Sequence, residues 1–180
     1  MRLNGERIII RDLHLNDFDD YYEYVSDDNV GPDAGWKPVK SEDVCKKVLT
    51  GNMLSKEMFA IELKEEKKLI GSISIYNNCL RKYRYVKQIG FSLNSKYWNH
   101  GYMSEAVRLI IQYLFEHTDT VVIEAGHHVD NYRSKRVIEK CGFNYDGRLC
   151  KFKLLYDGRL IDADFYSITK EDYERRKRYE

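Results

Sequence analysis

The sequence predicts an α/β (α+β) fold, a mixed, mostly antiparallel central sheet of about seven strands flanked by about four helices. Three observations predict it. Two apolar strand-like segments, Met58 to Leu63 and Leu69 to Tyr76, are joined by the short polar turn Lys64 to Lys68. A strand–helix–strand–helix run then occupies Val86 to Cys141, and Asp157-Gly158 interrupts two β-like segments near the end. Tight turns join antiparallel strands, whereas a crossover helix joins parallel ones, so the sheet combines both. At 180 residues the chain is expected to form one domain, residues 1–180.

The elements follow in order. Ile8-Ile9-Ile10 between arginines reads as a first strand. Asn16 or Asp17 can cap a helix carrying Phe18, Tyr21, Tyr22 and Val25 at helical spacing. Asn29 to Pro38, with its small and breaking residues, reads as a loop. Ser41 caps a second helix (Val44, Cys45, Val48, Leu49) that is expected to stop near Gly51. In the strand Leu69 to Tyr76, Ile73 and Ile75 alternate with Ser72 and Ser74, the pattern of a half-buried strand. Val86 to Leu93 is a further strand. Gly101 to Glu116 carries the clearest helical period, with Met103, Ala106, Val107, Ile110, Ile111 and Leu114 on one face. Val121-Val122-Ile123 opens a strand towards His128. Asp130 or Asn131 caps a short helix, and Gly142 stands at its left-handed end. The Asp157-Gly158 hairpin and a charged helix from Glu171 complete the chain.

Composition excludes several classes. Thirty Lys+Arg against twenty-nine Asp+Glu leave a net charge of +1, without the basic excess of a general nucleic-acid binder. No apolar run approaches the roughly 20 residues that cross a bilayer, so no membrane partner is expected. Met1 to Arg7 has no apolar signal region. Cys45, Cys79, Cys141 and Cys150 show no zinc-site spacing, which fits reduced thiols and a cytoplasmic location without a metal. Composition leaves open a monomer or a homodimer.

The segment that bears chemistry runs from Phe91 to Ala106: a strand ends, a loop turns through Gly101, and an amphipathic helix begins at once. The first amides of a helix lack partners and sit at its positive end, and a glycine lets a phosphate approach them. No Gly-Lys-Ser/Thr follows, so the segment is not a Walker loop. By itself this junction reads more readily as a strand–helix turn with a structural glycine. A second segment, Asn131-Tyr132-Arg133-Ser134-Lys135-Arg136-Val137-Ile138-Glu139-Lys140-Cys141-Gly142-Phe143, adds specificity.

Together the two segments resemble the GNAT superfamily of acyl-CoA-dependent N-acyltransferases. The family's loop Q/R-x-x-G-x-G/A aligns with Trp98 to Met103, and its N-x-x-S/A…E-K-x-G-F signature aligns with Asn131 to Phe143. The form Tyr-Trp-Asn-His-Gly-Tyr-Met-Ser-Glu-Ala is most similar to the branch of ribosomal-protein N-terminal and polyamine acetyltransferases. Trp98 and Met103 depart from the loop pattern without removing Gly101, and Ile138 stands where many relatives carry a tyrosine acid.

The resemblance implies acetyl-CoA as co-substrate and direct attack by an amine in a ternary complex. It implies that the ends of Phe91, Ser92 and Leu93 meet pantetheine and the thioester. Trp98 would open the cofactor loop, with Asn99, His100, Gly101, Tyr102, Met103 and Ser104 holding pyrophosphate. Asn131 and Ser134 would approach from the other side, Ser134 hydrogen-bonding the leaving thiolate. Tyr132 is its rival. Glu124 is the candidate base, with His127 and His128 on the same strand. Glu105 supports the helix N-terminus through its dipole.

The acceptor is expected between the Asn29–Pro38 loop, the second helix and the late hairpin. Asp27, Asp28, Asp33 and Glu42 there would suit a cationic acceptor or simply form a solvated face. An evident base is lacking, and α-amino groups titrate near about 8 against about 10.4 for lysine, which favours peptide N-termini without excluding small polyamines. The competing readings are an acyl-CoA-binding sensor or scaffold with weak or lost chemistry, and a nucleotide-binding domain.

Overall fold

The computed structural model describes residues 1–77 and 79–178. Among them are eight strands: β1 (Arg2–Asn4), β2 (Ile8–Asp12), β3 (Met58–Leu63), β4 (Lys68–Tyr76), β5 (Val86–Leu93), β6 (Val122–His128), β7 (Asn144–Leu154) and β8 (Leu160–Thr169). They form one sheet in the order β1-β2-β3-β4-β5-β6-β8-β7. Only β5 and β6 run parallel; every other neighbouring pair is antiparallel. The six helices among the described residues are α1 (Phe18–Val25), α2 (Gly31–Ala34), α3 (Glu42–Ser55), α4 (Tyr102–His117), α5 (Tyr132–Lys140) and α6 (Lys170–Lys177).

The mixed fold class read from the sequence is the one observed, with one strand and two helices more than the expected counts. The extra strand β1 spans three residues, too few to carry a period, and exists through its register with β2. Within the stretch expected as a loop, Pro32 at the first helical turn and Gly35 in the left-handed conformation (φ 82°) make the short helix α2. Gly51 does not stop α3: the helix runs on to Ser55 and ends at Lys56, itself left-handed. Ser41 and Asn131 cap α3 and α5 through their side chains as expected. Asp17 stands at the N-cap of α1, one of the two positions expected, but its carboxylate binds Arg11 and the amide of His14 rather than the first amides of the helix.

The sheet is covered on both faces. Ile73 packs in one cluster with Ile110, Val107 and Phe115 of α4. Its neighbour Ser72 receives the hydroxyl of Tyr24 from α1 at 3.0 Å, and Tyr24 packs with Leu49 of α3 in a second cluster. Successive strand residues point to opposite faces, so α4 lies on one side and α1 and α3 on the other. Ser72 and Ser74 are therefore buried rather than solvent-facing, which corrects the half-buried reading of this strand. Each fully buried Leu or Ile contributes about 1.5–3 kcal/mol, and these two clusters hold the sheet rigid beneath the site. No helix among the described residues is long and apolar enough to cross a membrane.

Candidate active site

The parallel pairing between β5 and β6 stops early. Its register runs from Val86 opposite Val122 to Ile89 opposite Ala125 and goes no further. Both strands continue, β5 to Leu93 against β4 and β6 to His128 against β8. Gly90 to Leu93 and Gly126 to His128 thus diverge, each keeping one neighbour and losing the other. A cleft of about 640 Å³ enters this gap and is lined by Phe91, Ser92, Leu93, Gly126 and His128.

The start of α4 forms one wall. Asn99 (φ 65°) and Gly101 (φ 82°) both adopt the left-handed region, turning the chain sharply into the helix. Gly101 is the N-cap and offers no side chain to the first amides. A Cβ there would meet nothing closer than 3.5 Å, so the backbone angle, not space, calls for glycine. Glu105 in the first turn points away: its carboxylate accepts the amides of Arg7 and Ile8 and the Arg7 guanidinium. Arg7 also donates to the carbonyl of His100 at 2.8 Å and lies over the Tyr102 ring. The loop is braced from behind, and the amide end of a sixteen-residue helix opens on the cleft without a side-chain cap. Arg136 and Lys140 of α5 also line the cleft, and the end of α5 meets the start of α4 where the Cys141 thiol donates to the Ser104 carbonyl. Uncapped amides, a positive dipole end and two cations fit the diphosphate of a coenzyme A.

Of the residues singled out in the sequence, Phe91, Ser92, Leu93, Trp98, Asn99, Gly101, Tyr102, Met103, Ser104, Asn131 and Ser134 line this one cleft. His100 does not; its ring turns back onto the Trp98 carbonyl and stacks on Tyr102. Tyr132 is 67% exposed and also points elsewhere. Trp98 bonds the Leu93 carbonyl at 2.9 Å and carries the Arg133 guanidinium 4.0 Å from its ring centroid. Arg133 ion-pairs with Asp33, and Asn131 donates to the Asp33 carbonyl at 2.9 Å while its oxygen caps Ser134. This stitch ties α2 to the start of α5 and fixes Ser134 at the cleft wall. Ile138, at the position of the family's tyrosine, is fully buried in the α4 core.

Glu124 is not brought to the cleft. It is 1% exposed and accepts from the amides of Leu80 and Arg81 and from the Arg81 guanidinium, pinning the segment after β4. His127 is buried against Tyr166, with its ring nitrogens at the His128 carbonyl and the Tyr166 hydroxyl. His128 lies open to the cleft. Burial, then the positive charge of Lys153, pushes its imidazole below the usual histidine value and so favours its neutral form. Sequence reasoning weighed His128 but had no means of finding Lys153, 25 residues along the chain, beside it.

On the side of the cleft where the sequence placed the acceptor, residues of α2 and of β7 and β8 line the wall as expected, β4 adds residues that were not expected, and α3 contributes none. Ser74, Tyr76 and Gln88 form a polar floor, and Trp36, Phe152 and Phe165 form apolar walls. The β4 serines were a legible signal of this floor: small polar residues alternating along a strand that both faces cover.

Residues 7–144 match the acetyltransferase (GNAT) domain family. The chain is 30% identical over 175 residues to the uncharacterized N-acetyltransferase YnaD of Bacillus subtilis (strain 168), covering 96% of this chain and 99% of the relative. It is 25% identical over 185 residues to the Escherichia coli (strain K12) ribosomal protein uS5-alanine N-acetyltransferase, covering 96% and 93%. Among solved structures, a GNAT-family acetyltransferase from Bacillus anthracis superposes with a TM-score of 0.86 at 29% identity, over 95% of this chain and 99% of that one. With its splayed parallel strands and its uncapped helix start, the chain belongs to the GNAT acetyltransferase family.

Proposed function

We propose that this protein transfers the acetyl group of acetyl-CoA to a primary amine by direct attack within a ternary complex. The observation that carries the reading is the β5–β6 gap lying directly beside the uncapped start of α4. In this reading the amides of α4, with Arg136 and Lys140, hold the diphosphate, and the unpaired edge of Gly90 to Leu93 aligns the pantetheine arm. Acetyl-CoA supplies an acetyl group activated as a thioester. Held in the gap, the amine attacks from the floor side, so that orientation lowers the barrier before any proton moves. His128, whose neutral form is favoured by burial and by Lys153, takes a proton from the attacking nitrogen of the free amine as the carbon–nitrogen bond forms. Ser134 hydrogen-bonds the departing sulfur, a role for an alcohol that is electrostatic rather than acidic. The buried Ile138 favours one rival reading, an acyl-CoA-binding module without turnover.

Incubation with acetyl-CoA and a panel of amines, including N-terminal peptides and spermidine, separates the two. Acetylated amine by mass spectrometry with stoichiometric release of free CoA thiol is expected; CoA binding without product would leave only the sensor. Replacing Ser134→Ala removes a hydrogen bond to a charged group, worth about 1.5–3 kcal/mol, so kcat is expected to fall about 10–100-fold. An unchanged kcat under rate-limiting chemistry would remove Ser134 from the mechanism.

A further inference from the structure

The acidic cluster that suggested a cationic acceptor is already occupied by the protein itself. Asp27 accepts from Ser95 and Asn29, Asp28 pairs with Lys40 at 2.8 Å, Asp33 pairs with Arg133, and Glu42 faces Lys46 at 3.9 Å. Of these four, only Asp33 reaches the cleft. The charged group facing the acceptor end without a protein partner, among the described residues, is a cation: Lys153 of β7. A Cβ built on Gly35 would lie 2.7 Å from Cε1 of His128 and 2.9 Å from Nζ of Lys153. The missing side chain therefore leaves room for imidazole and ammonium to share one corner of the cleft. Of the other cations on the wall, Arg133 is paired with Asp33, and Arg136 and Lys140 belong to α5, whose C-terminal end packs on the start of α4 through Cys141 and Ser104. They stand at the diphosphate end, so Lys153 is left for the acceptor.

We propose that the acceptor is an amine carrying an acidic group, carboxylate or phosphate, a few bonds from its nitrogen, and that Lys153 is the residue that reads this group. The inference rests on the acetyl-transfer reading above. A cationic chain such as a polyamine meets like charge here, whereas an acidic amine presents its anion to Lys153 and its nitrogen to His128. The apolar rings of Trp36, Phe152 and Phe165 beside it offer the anion no competing hydrogen bond and strengthen that pairing. A charge-assisted contact of this kind is a common source of discrimination between otherwise similar amines.

Titration calorimetry on the CoA-saturated protein tests this without requiring turnover. The probes are O-phosphoethanolamine, glutamate, an Ala-Asp-Gly peptide and spermidine; the first two against the third distinguish a small acidic amine from an acidic peptide N-terminus. At least one acidic probe is expected to bind about tenfold or more tightly than spermidine. Lys153→Glu is expected to invert the order, with acetyl-CoA still raising the melting temperature as evidence of an intact fold. Spermidine binding as tightly as every acidic probe, no measurable binding of any probe, or an order unchanged in Lys153→Glu would each overturn the inference. Acidic preference in binding together with no acetylated product from any amine would instead overturn the transfer reading and leave the charge assignment standing.

Discussion

At His128 two neighbours set the chemistry. Removal from water disfavours the imidazolium, and Lys153 adds a like charge, while Asp33 opposes both; His127 and Arg159 add smaller repulsions. The downward shift favours the base form of the imidazole in the neutral range. The account predicts that kcat/KM rises with pH through two limbs, one below 6.5 from His128 and a second from the acceptor amine. His128→Gln is expected to abolish the lower limb and keep the upper. A pH profile identical in the variant would show that another group accepts the proton. The residues on the loop and the start of α5 were legible in the sequence because their spacing along the chain is fixed. Lys153 and Gly35 were not, since their meeting with His128 depends on the register of β8 between β6 and β7 and on the turn that ends α2. Glu124 misled for a related reason: its strand was legible, but its partner Arg81 lies in the segment after β4, where no period announces a contact.

Among the elements, α5 has the most to hold with the least core. It is nine residues long, and Ile138 is its fully buried residue. Its position relies on Asn131, which caps the helix at Ser134 and reaches across to α2. Loss of a cap costs about 1 kcal/mol, which for a chain of this size corresponds to a melting temperature lower by about 2–4 °C. Asn131→Ala is expected to show at least that drop, and to raise KM for acetyl-CoA as Ser134 loosens. Asn131→Asp, which keeps the cap and loses the donor to Asp33, is expected to recover the melting temperature but not the KM. Equal recovery of both would mean that the tie to α2 is dispensable. The helices were the readily legible elements because α4 shows its period and α5 its Asn131 cap. The long β7 was far less so: it is an exposed edge with bulges near Gly147 and Lys151, and alternation fails there.

For the whole molecule, the cleft depends on α1 staying docked against β4 and the turn before α4. Glu23 of α1 joins all three, accepting from Lys68 at 2.6 Å, Lys96 at 2.8 Å and Asn94 at 3.1 Å. The hydrogen bond from Lys68, then that from Lys96, holds its carboxyl down to about 2, against an ordinary 4.5. A depressed carboxyl stabilises the folded state above the unfolded value, and that contribution is lost as pH falls from about 4.5 towards 2. Denaturant titrations of Glu23→Gln are therefore expected to show a shallower loss of stability across that window than the parent protein. Parallel curves would place the acid sensitivity elsewhere. The mixed topology was legible from turns and periods, whereas the early end of the β5–β6 pairing, which makes the cleft, leaves no mark in either strand's own sequence.

The central claim is that the β5–β6 gap and the bare start of α4 form an acyl-CoA site. Thermal melting with acetyl-CoA, free CoA and ATP tests it most directly, run on the parent protein and on Gly101→Asp. A ligand at 100 times its dissociation constant adds about 2.7 kcal/mol, a rise of roughly 5–10 °C for a chain of this length. The account predicts that rise with acetyl-CoA, little with ATP, and its loss in Gly101→Asp, where a carboxylate at the amides repels the diphosphate. A flat response to acetyl-CoA, or an equal rise in Gly101→Asp, would contradict it.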